Sequence, residues 1–337
     1  MKRFLLKLSY TVLPLWIAMV GWYYYYYHVH VHGITGDLGE LEQMYVGPEY
    51  REHVLSQSPD SLYYRNLPCA DSVRVLRNCV LALGDSYSQY YSAGYLNALS
   101  LRGVNLVSLS SPADKTSLSP VQKAWELLEL GYIDPSVTLL VETVERSLLR
   151  RLSELNPTVT AVTEAPVAPS RPAERTLIRP IDCFGKMIGL RTSLVRHVRL
   201  SRPFFSHSEM SEDLFFYSED VTSAMSLDTE DPQSRTALDN LHRLYEKAAE
   251  RHVKLIVLVP PDKYDLYQEY IVDNPYPRKT VNEDLRRLFP DSTRLVICKE
   301  ILLPYVHEGR QDIYYLEDSH WSFCGADIVA RSILSLF

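Results

Sequence analysis

The chain has 337 residues, of which 46% are apolar, and a formal net charge of −7. That length and apolar content suffice for one large domain with a real core, or for one domain plus a small one. The acidic balance excludes nucleic acid as an expected partner.

In chain order, Lys2, Arg3 and Lys7 precede a charge-free stretch from Leu8 to Tyr27. A helix needs about 20 residues to cross the hydrocarbon layer, and this stretch has that length. Pro14 and Gly21 lie within it, which membrane helices tolerate. Trp22 and the run Tyr23–Tyr27 are aromatic residues of the kind that favour the membrane–water interface. The reading is a cytoplasmic tail over 1–7 and an uncleaved transmembrane anchor over 8–28. The competing reading is a cleaved signal peptide, but bulky tyrosines occupy the place of a small-x-small cleavage site. The basic flank keeps the tail in the cytoplasm. The expected product is a single-pass inner-membrane protein whose remaining chain lies in the periplasm or an equivalent space.

Residues 29–78 read as a polar stalk or first layer. His28, His30 and His32 alternate with valine. They are read as interfacial residues beside the anchor, because no nearby carboxylate or cysteine completes a metal set. No cofactor or metal is expected.

A βα rhythm starts at Cys79. The apolar run 79–84 predicts a buried strand, and Tyr91, Tyr95, Leu96 and Leu99 give helical spacing over 88–101. Val104–Leu109 predicts a second strand. A Pro- and Ser-bearing loop, Ser110–Pro120, leads to a helix over Val121–Leu130 that ends at Gly131. Val137–Val144 predicts a third strand. Residues 151–230 read as an insertion. Its part 156–182 is dense in Pro, Ala, Thr and Glu, while Phe204-Phe205 and Leu214-Phe215-Phe216 are apolar enough to pack on another layer.

The rhythm resumes with a helix marked by Leu238, Leu241, Leu244, Tyr245 and Ala248. The strand Val253–Val259 follows and runs into Pro260-Pro261-Asp262-Lys263. A helix near 280–289, a strand Arg294–Cys298 and a final helix over Ser322–Leu336 complete the chain. Five strands, each followed by helical sequence, predict a doubly wound, flavodoxin-like α/β domain with a parallel sheet over 79–337. Ligands in such sheets bind beyond the carboxyl ends of the strands.

Two stretches at those ends carry chemistry. Gly84-Asp85-Ser86 follows the first strand, and Asp318-Ser319-His320-Trp321 precedes the last helix. A serine nucleophile needs a base, and the base needs a group to orient it. Ser86, His320 and Asp318 supply those three parts. The structural alternatives are a helix cap for Ser86 and for Asp318, and a helix-entry histidine for His320.

With these blocks quoted, the chain resembles the SGNH (GDSL) hydrolase superfamily. Asp318-Ser319-His320-Trp321 with Gly325-Ala326 resembles the closing block of its acyltransferase branch, which holds the alginate O-acetyltransferase and DHHW proteins. Val141–Arg146 and Val259–Lys263 also look like stretches of that branch. The resemblance covers roughly 79–150 and 232–337. It implies that Ser86 is the nucleophile, His320 the general base and Asp318 its partner. Ordinary SGNH esterases space the Asp and His one residue further apart and carry a middle-block asparagine in the oxyanion hole. Glu145 and Arg146 stand where that asparagine is sought. Asp85, Arg146, Lys263 and Trp321 are therefore the oxyanion and substrate-binding candidates, each with an ordinary structural alternative.

The expected function is an O-acetyltransferase acting through a serine ester on an exported polysaccharide or envelope glycan. The resemblance implies an acetyl donor delivered across the membrane by a membrane-bound O-acyltransferase. A carbohydrate esterase or deacetylase with the same triad, and a non-catalytic scaffold, are the alternatives. Five cysteines leave two readings open. In an oxidising space Cys69 pairs with Cys79, or Cys298 with Cys324; otherwise all five, Cys183 included, are buried thiols.

Overall fold

The structure, a computed structural model, describes residues 2–25, 36–42, 46–88, 91–109, 119–160, 194–290 and 292–337. His28, His30, His32, Cys183 and residues 161–193 of the insertion lie outside the described residues.

A six-stranded sheet forms the centre, in the order β1-β3-β2-β4-β7-β8. The strands are β1 (Arg65–Asn66), β2 (Val80–Leu83), β3 (Leu106–Ser108), β4 (Thr138–Glu142), β7 (Lys254–Val259) and β8 (Leu295–Ile297). All neighbours pair in parallel. Omitting the two-residue edge strand β1, the remaining five follow the doubly wound flavodoxin-like order. A separate antiparallel hairpin, β5 (Val195–Arg199) and β6 (Asp213–Tyr217), comes from the predicted insertion.

The side chains of the central strands are buried on both faces. Leu255, Val257 and Val259 of β7 enter one apolar cluster, and Ile256 and Leu258 enter the other. Strands buried on both sides read as continuous apolar runs, which is why they were legible in sequence. Helices Pro120–Glu129, Glu145–Ser153, Pro232–Glu250 and Val281–Leu288 contribute to the first cluster. Helices Tyr95–Ser100, Cys298–His307 and Phe323–Ile333 contribute to the second. Ser119 caps helix Pro120–Glu129 by accepting from the Gln122 N–H at 3.1 Å, and Gly131 leaves it with a φ of +66°.

Several expectations need correction. Lys2–Tyr25 is a 24-residue helix, but no helix among the described residues is long and apolar enough to cross a membrane. The anchor over 8–28, and the single-pass inner-membrane placement built on it, are therefore not supported. Tyr10, Thr11, Gly21 and the clustered tyrosines are uncharged yet too polar to make the stretch strongly apolar.

The helical spacing over 88–101 resolves into a short 3-10 turn, Tyr91–Ala93, and helix Tyr95–Ser100. Cys69, Cys79, Cys298 and Cys324 are free thiols, so neither disulfide reading holds for them. The stretch 29–78, read as a stalk or first layer, supplies β1, and Leu38, Val46, Tyr50 and Val54 are buried in the core. The aromatic residues of the insertion do pack on a layer: Phe204, Phe205, Leu214 and Phe216 are buried in the same cluster as the last helix.

Candidate active site

β2 lies between β3 and β4, so the chain leaves β2 to one side and returns on the other. Loops that separate at such a reversal open a crevice at the carboxyl edge of the sheet. Gly84-Asp85-Ser86 leaves β2 there, and Thr143–Arg146 leaves β4 beside it.

The turn after β2 is tightly tied. The Asp85 N–H donates to Glu142 Oε2 at 3.0 Å, and the Ser88 hydroxyl donates to the same oxygen at 2.7 Å. A Cβ at Gly84 would stand 1.8 Å from Ser88 Oγ and 2.8 Å from Glu142 Oε2, so only glycine fits. The Asp85 carboxylate accepts from the Tyr87 N–H at 3.1 Å, from the Val144 N–H at 3.3 Å and from Arg151 at 2.7 Å. Burial pushes Asp85 up, but Arg151 and these donors hold it below the ordinary carboxylate value. Asp85 is thus an ionised latch between the two loops. It offers an oxyanion no donor, and its candidacy as an oxyanion group is withdrawn.

The latch leaves Ser86 exposed at the tip of the turn. Its Oγ lies 2.5 Å from His320 Nε2. On the other side of the ring, His320 Nδ1 bonds to Asp318 Oδ1, which also accepts the His320 N–H at 2.9 Å. An aspartate reaching the backbone two residues on is a common turn device. Here the same oxygen takes the ring nitrogen, which fixes Nδ1 as the protonated one and directs Nε2 to the serine. Burial pushes His320 down, but the Asp318 carboxylate raises it above the ordinary histidine value, aided by Asp37. Tyr314 and Trp321 form an antiparallel bridge that closes the loop carrying Asp318 and His320.

Ser86, His320 and Asp318 are therefore in line. The other sequence candidates take different places. Lys263 is 0% exposed and donates to the carbonyls of Tyr315, Leu316 and Asp318 at 2.6, 2.9 and 3.1 Å. It supports the loop from behind and does not face a substrate. Burial lowers it to about 8 against the pull of Asp318. Trp321 is also 0% exposed, edge-on to Tyr87 at 5.2 Å and to Tyr95 at 5.8 Å. It backs the site as a packed wall and is not a substrate contact. Arg146 is 12% exposed and donates to Asp262 Oδ1 at 2.8 Å, with Asp220 at 3.6 Å. Its guanidinium lies 6.0 Å from the Tyr87 ring and 5.7 Å from the Tyr217 ring. Among the four candidates, Arg146 is the one cation at the edge of the site, and Asp262 and Asp220 share its charge.

Sequence reasoning missed three residues. Tyr87 is fully buried, its ring 4.8 Å from that of His320, and its hydroxyl donates to the Ser319 carbonyl at 2.6 Å. Asp37 accepts the Ser319 N–H at 2.8 Å and the Ser319 hydroxyl at 2.6 Å, and its own N–H donates to Asp318 Oδ2 at 3.0 Å. Asp262, in the flagged Pro-Pro-Asp-Lys block, holds Arg146 and takes Lys279 at 2.6 Å. Tyr87 had a signal in its adjacency to Ser86. Asp37 had none.

Asp37, Asp318 and His320 place ligand atoms within 4.8 Å of one another, the spacing of a cation site. All four carboxylate oxygens already accept hydrogen bonds from protein donors. The trio is arranged for N–H and O–H groups rather than for a metal.

Residues 211–336 match a family model, the SGNH hydrolase-like domain of the acetyltransferase AlgX. Over that segment the SGNH acyltransferase resemblance read from the sequence is borne out. The match contains Lys263, Asp318, His320 and Trp321; Asp85, Ser86 and Arg146 lie outside it. The geometry therefore adds the serine to a histidine and aspartate that the family model already covers. No curated protein and no solved structure matches the chain at a significant level.

Proposed function

We propose that the protein is an O-acyltransferase that carries an acetyl group on Ser86 and passes it to a glycan hydroxyl. The observation that carries this reading is the line Ser86 Oγ, His320, Asp318, with Oγ 2.5 Å from Nε2 and Asp318 on Nδ1. The SGNH hydrolase-like match supports acyl chemistry at this site, and its acetyltransferase description supports transfer.

His320 Nε2 takes the Ser86 proton as Oγ attacks the acyl carbon of the donor. A tetrahedral oxyanion forms. The donor's leaving group departs with the proton from His320, and acetyl-serine remains. The acceptor hydroxyl then gives its proton to His320, attacks the acetyl carbon and leaves as the new ester, which restores Ser86. Asp318 stabilises the imidazolium in both halves. The Ser86 N–H donates no hydrogen bond to any described residue and is free to serve the oxyanion; Arg146 adds positive charge at the site's edge. The acetyl donor, and a partner acyltransferase that supplies it, belong to this proposal.

Hydrolysis is the second reading, because Ser86 is exposed and water reaches an ester formed on it. The full chain is incubated with p-nitrophenyl acetate, with and without oligosaccharides. Transfer predicts acetylated oligosaccharide and faster release of nitrophenol in its presence. Release unaffected by every glycan, with acetate as the sole product, is the esterase result. Ser86→Ala abolishes either activity; turnover that survives it sinks the triad, and a scaffold role follows.

A further inference from the structure

The loop that carries the base is held by a residue from far away in the chain. Asp37 sits 281 residues before Asp318, yet its N–H donates to Asp318 Oδ2 at 3.0 Å. That bond occupies the oxygen of Asp318 that His320 does not use. The Asp37 carboxylate then grips the intervening residue twice, accepting the N–H and the hydroxyl of Ser319 at 2.8 and 2.6 Å. Its Oδ2 lies 3.9 Å from His320 Nδ1. Gly36 makes the approach possible: a Cβ there would stand 2.2 Å from the Glu317 carbonyl oxygen. The Gly39 N–H donates to that same carbonyl at 2.7 Å. Residues 317, 318 and 319 are thus each bonded from the segment 37–39.

We propose that Asp37 is a positioning residue of the acyl-transfer site, a second carboxylate that locks the Asp318–His320 turn through Ser319. This inference rests on the triad reading. An Asp-x-His turn is short, and a freely rotating Ser319 would let the Asp318 carboxylate swing off Nδ1. Asp37 fixes both the Ser319 backbone and the rotamer of Asp318, since each of its three bonds ends on that turn. Side-chain geometry held by a surrounding shell is what keeps a reactive constellation aligned.

The charge of Asp37 acts in the same sense. His320 is faced by Asp318 on its own loop, by Asp37 from the N-terminal segment, by Arg146 and Tyr87 from the two strand-end loops, and by Ser86. Tyr217 from β6 faces Asp37, and Lys263 reaches the Asp318 carbonyl. Two carboxylates against one imidazolium favour the protonated ring, and Arg146 opposes them.

The test uses the full chain, acetyl-ester turnover and the pH profile of kcat/KM. Both variants keep the backbone N–H that bonds Asp318; Asp37→Asn also keeps the shape but removes the charge, and Asp37→Ala removes the side-chain grip on Ser319. Asp37→Ala is expected to lower kcat by about 10- to 100-fold with KM within twofold, as a small misplacement of a reacting group does. Asp37→Asn is expected to move the acid limb to lower pH and to keep more of kcat than the alanine variant. Ser86→Ala is run beside them. If it abolishes turnover while both Asp37 variants keep wild-type kcat and the wild-type acid limb, the positioning role is overturned and the triad stands. If Ser86→Ala keeps turnover, the triad fails first. Should Asp37→Ala not fold, the isosteric Asp37→Asn decides through its acid limb.

Discussion

The Tyr87 hydroxyl donates to the Ser319 carbonyl at 2.6 Å, which ties the residue after the serine to the residue before the histidine. The two loops of the site are thus bonded to each other at a fixed distance, independently of the Ser86–His320 contact. Tyr87→Phe removes that donor, together with the hydroxyl that Arg146 and Tyr314 also face, and leaves the ring against His320. It leaves a buried carbonyl unpaired, which costs about 1–3 kcal/mol. Chemical denaturation should show that loss, and kcat should fall more than KM rises. Unchanged stability and unchanged kcat would show that the bond contributes nothing to either.

His320 is held above the ordinary histidine value, chiefly by Asp318 working against burial. A base must be unprotonated, so activity rises with pH through that raised value. The acid limb of kcat/KM is expected above pH 6.5, and Asp318→Asn is expected to move it downward. The same variant lowers kcat by several orders of magnitude, on the order of 10⁴-fold in serine triads generally, through the wrong tautomer. An acid limb that stays in place in Asp318→Asn would break the assignment of Asp318.

Glu317 lies next to the catalytic turn, buried, and burial raises it from 4.5 to about 7. The folded state therefore keeps a proton between those values that the unfolded chain has lost. Stability is full below about pH 4.5 for this group and declines as pH rises through about 7. Asp220, raised to about 7 by burial and Asp262, acts in the same direction. The melting temperature should be lower at pH 8 than at pH 5, and Glu317→Gln should reduce that difference. The effect is on the order of 1–3 kcal/mol. A difference as large in Glu317→Gln as in the wild type would remove Glu317 as its source.

Lys263 fastens three carbonyls of the catalytic loop with one buried ammonium. Lys263→Met keeps the stem and leaves those carbonyls unpaired. A loss of about 3 kcal/mol is expected by denaturation, since hydrogen bonds to a charged group are the strong ones. If Lys263→Met instead keeps its stability and raises KM alone, the residue contacts substrate and its structural assignment is wrong.

Much of the architecture is legible in the sequence. β2, β4 and β7 are apolar runs with β-branched content, because a parallel sheet covered on both faces needs them so. The blocks around Ser86 and His320 were legible because one puts a serine at a strand end and the other puts a carboxylate two residues before a histidine; the close approach at Gly84 and the Asp318 bond to the His320 N–H came with the fold. The N-terminal stretch misleads because lacking charge is not the same as being apolar enough to cross a membrane. The hairpin β5–β6 was hidden by an irregular flanking sequence, although Leu214 and Phe216 of β6 and Phe204 and Phe205 of the connection between the strands are buried in the core.

By itself the sequence determined five of the six strands of the parallel sheet, their order of appearance and the three residues that stand in line, since those depend on local period and local turns; the edge strand β1 and the hairpin β5–β6 it did not. Only the tertiary structure decided which charges face the site. Lys263 and Arg146 sit in equally polar blocks, yet one is sealed behind the loop and the other reaches its edge. Asp37 is an ordinary acidic residue until folding brings it across 281 positions to Asp318. Burial and long-range hydrogen bonding are properties of the folded arrangement, and no local pattern encodes the partner of a residue that distant.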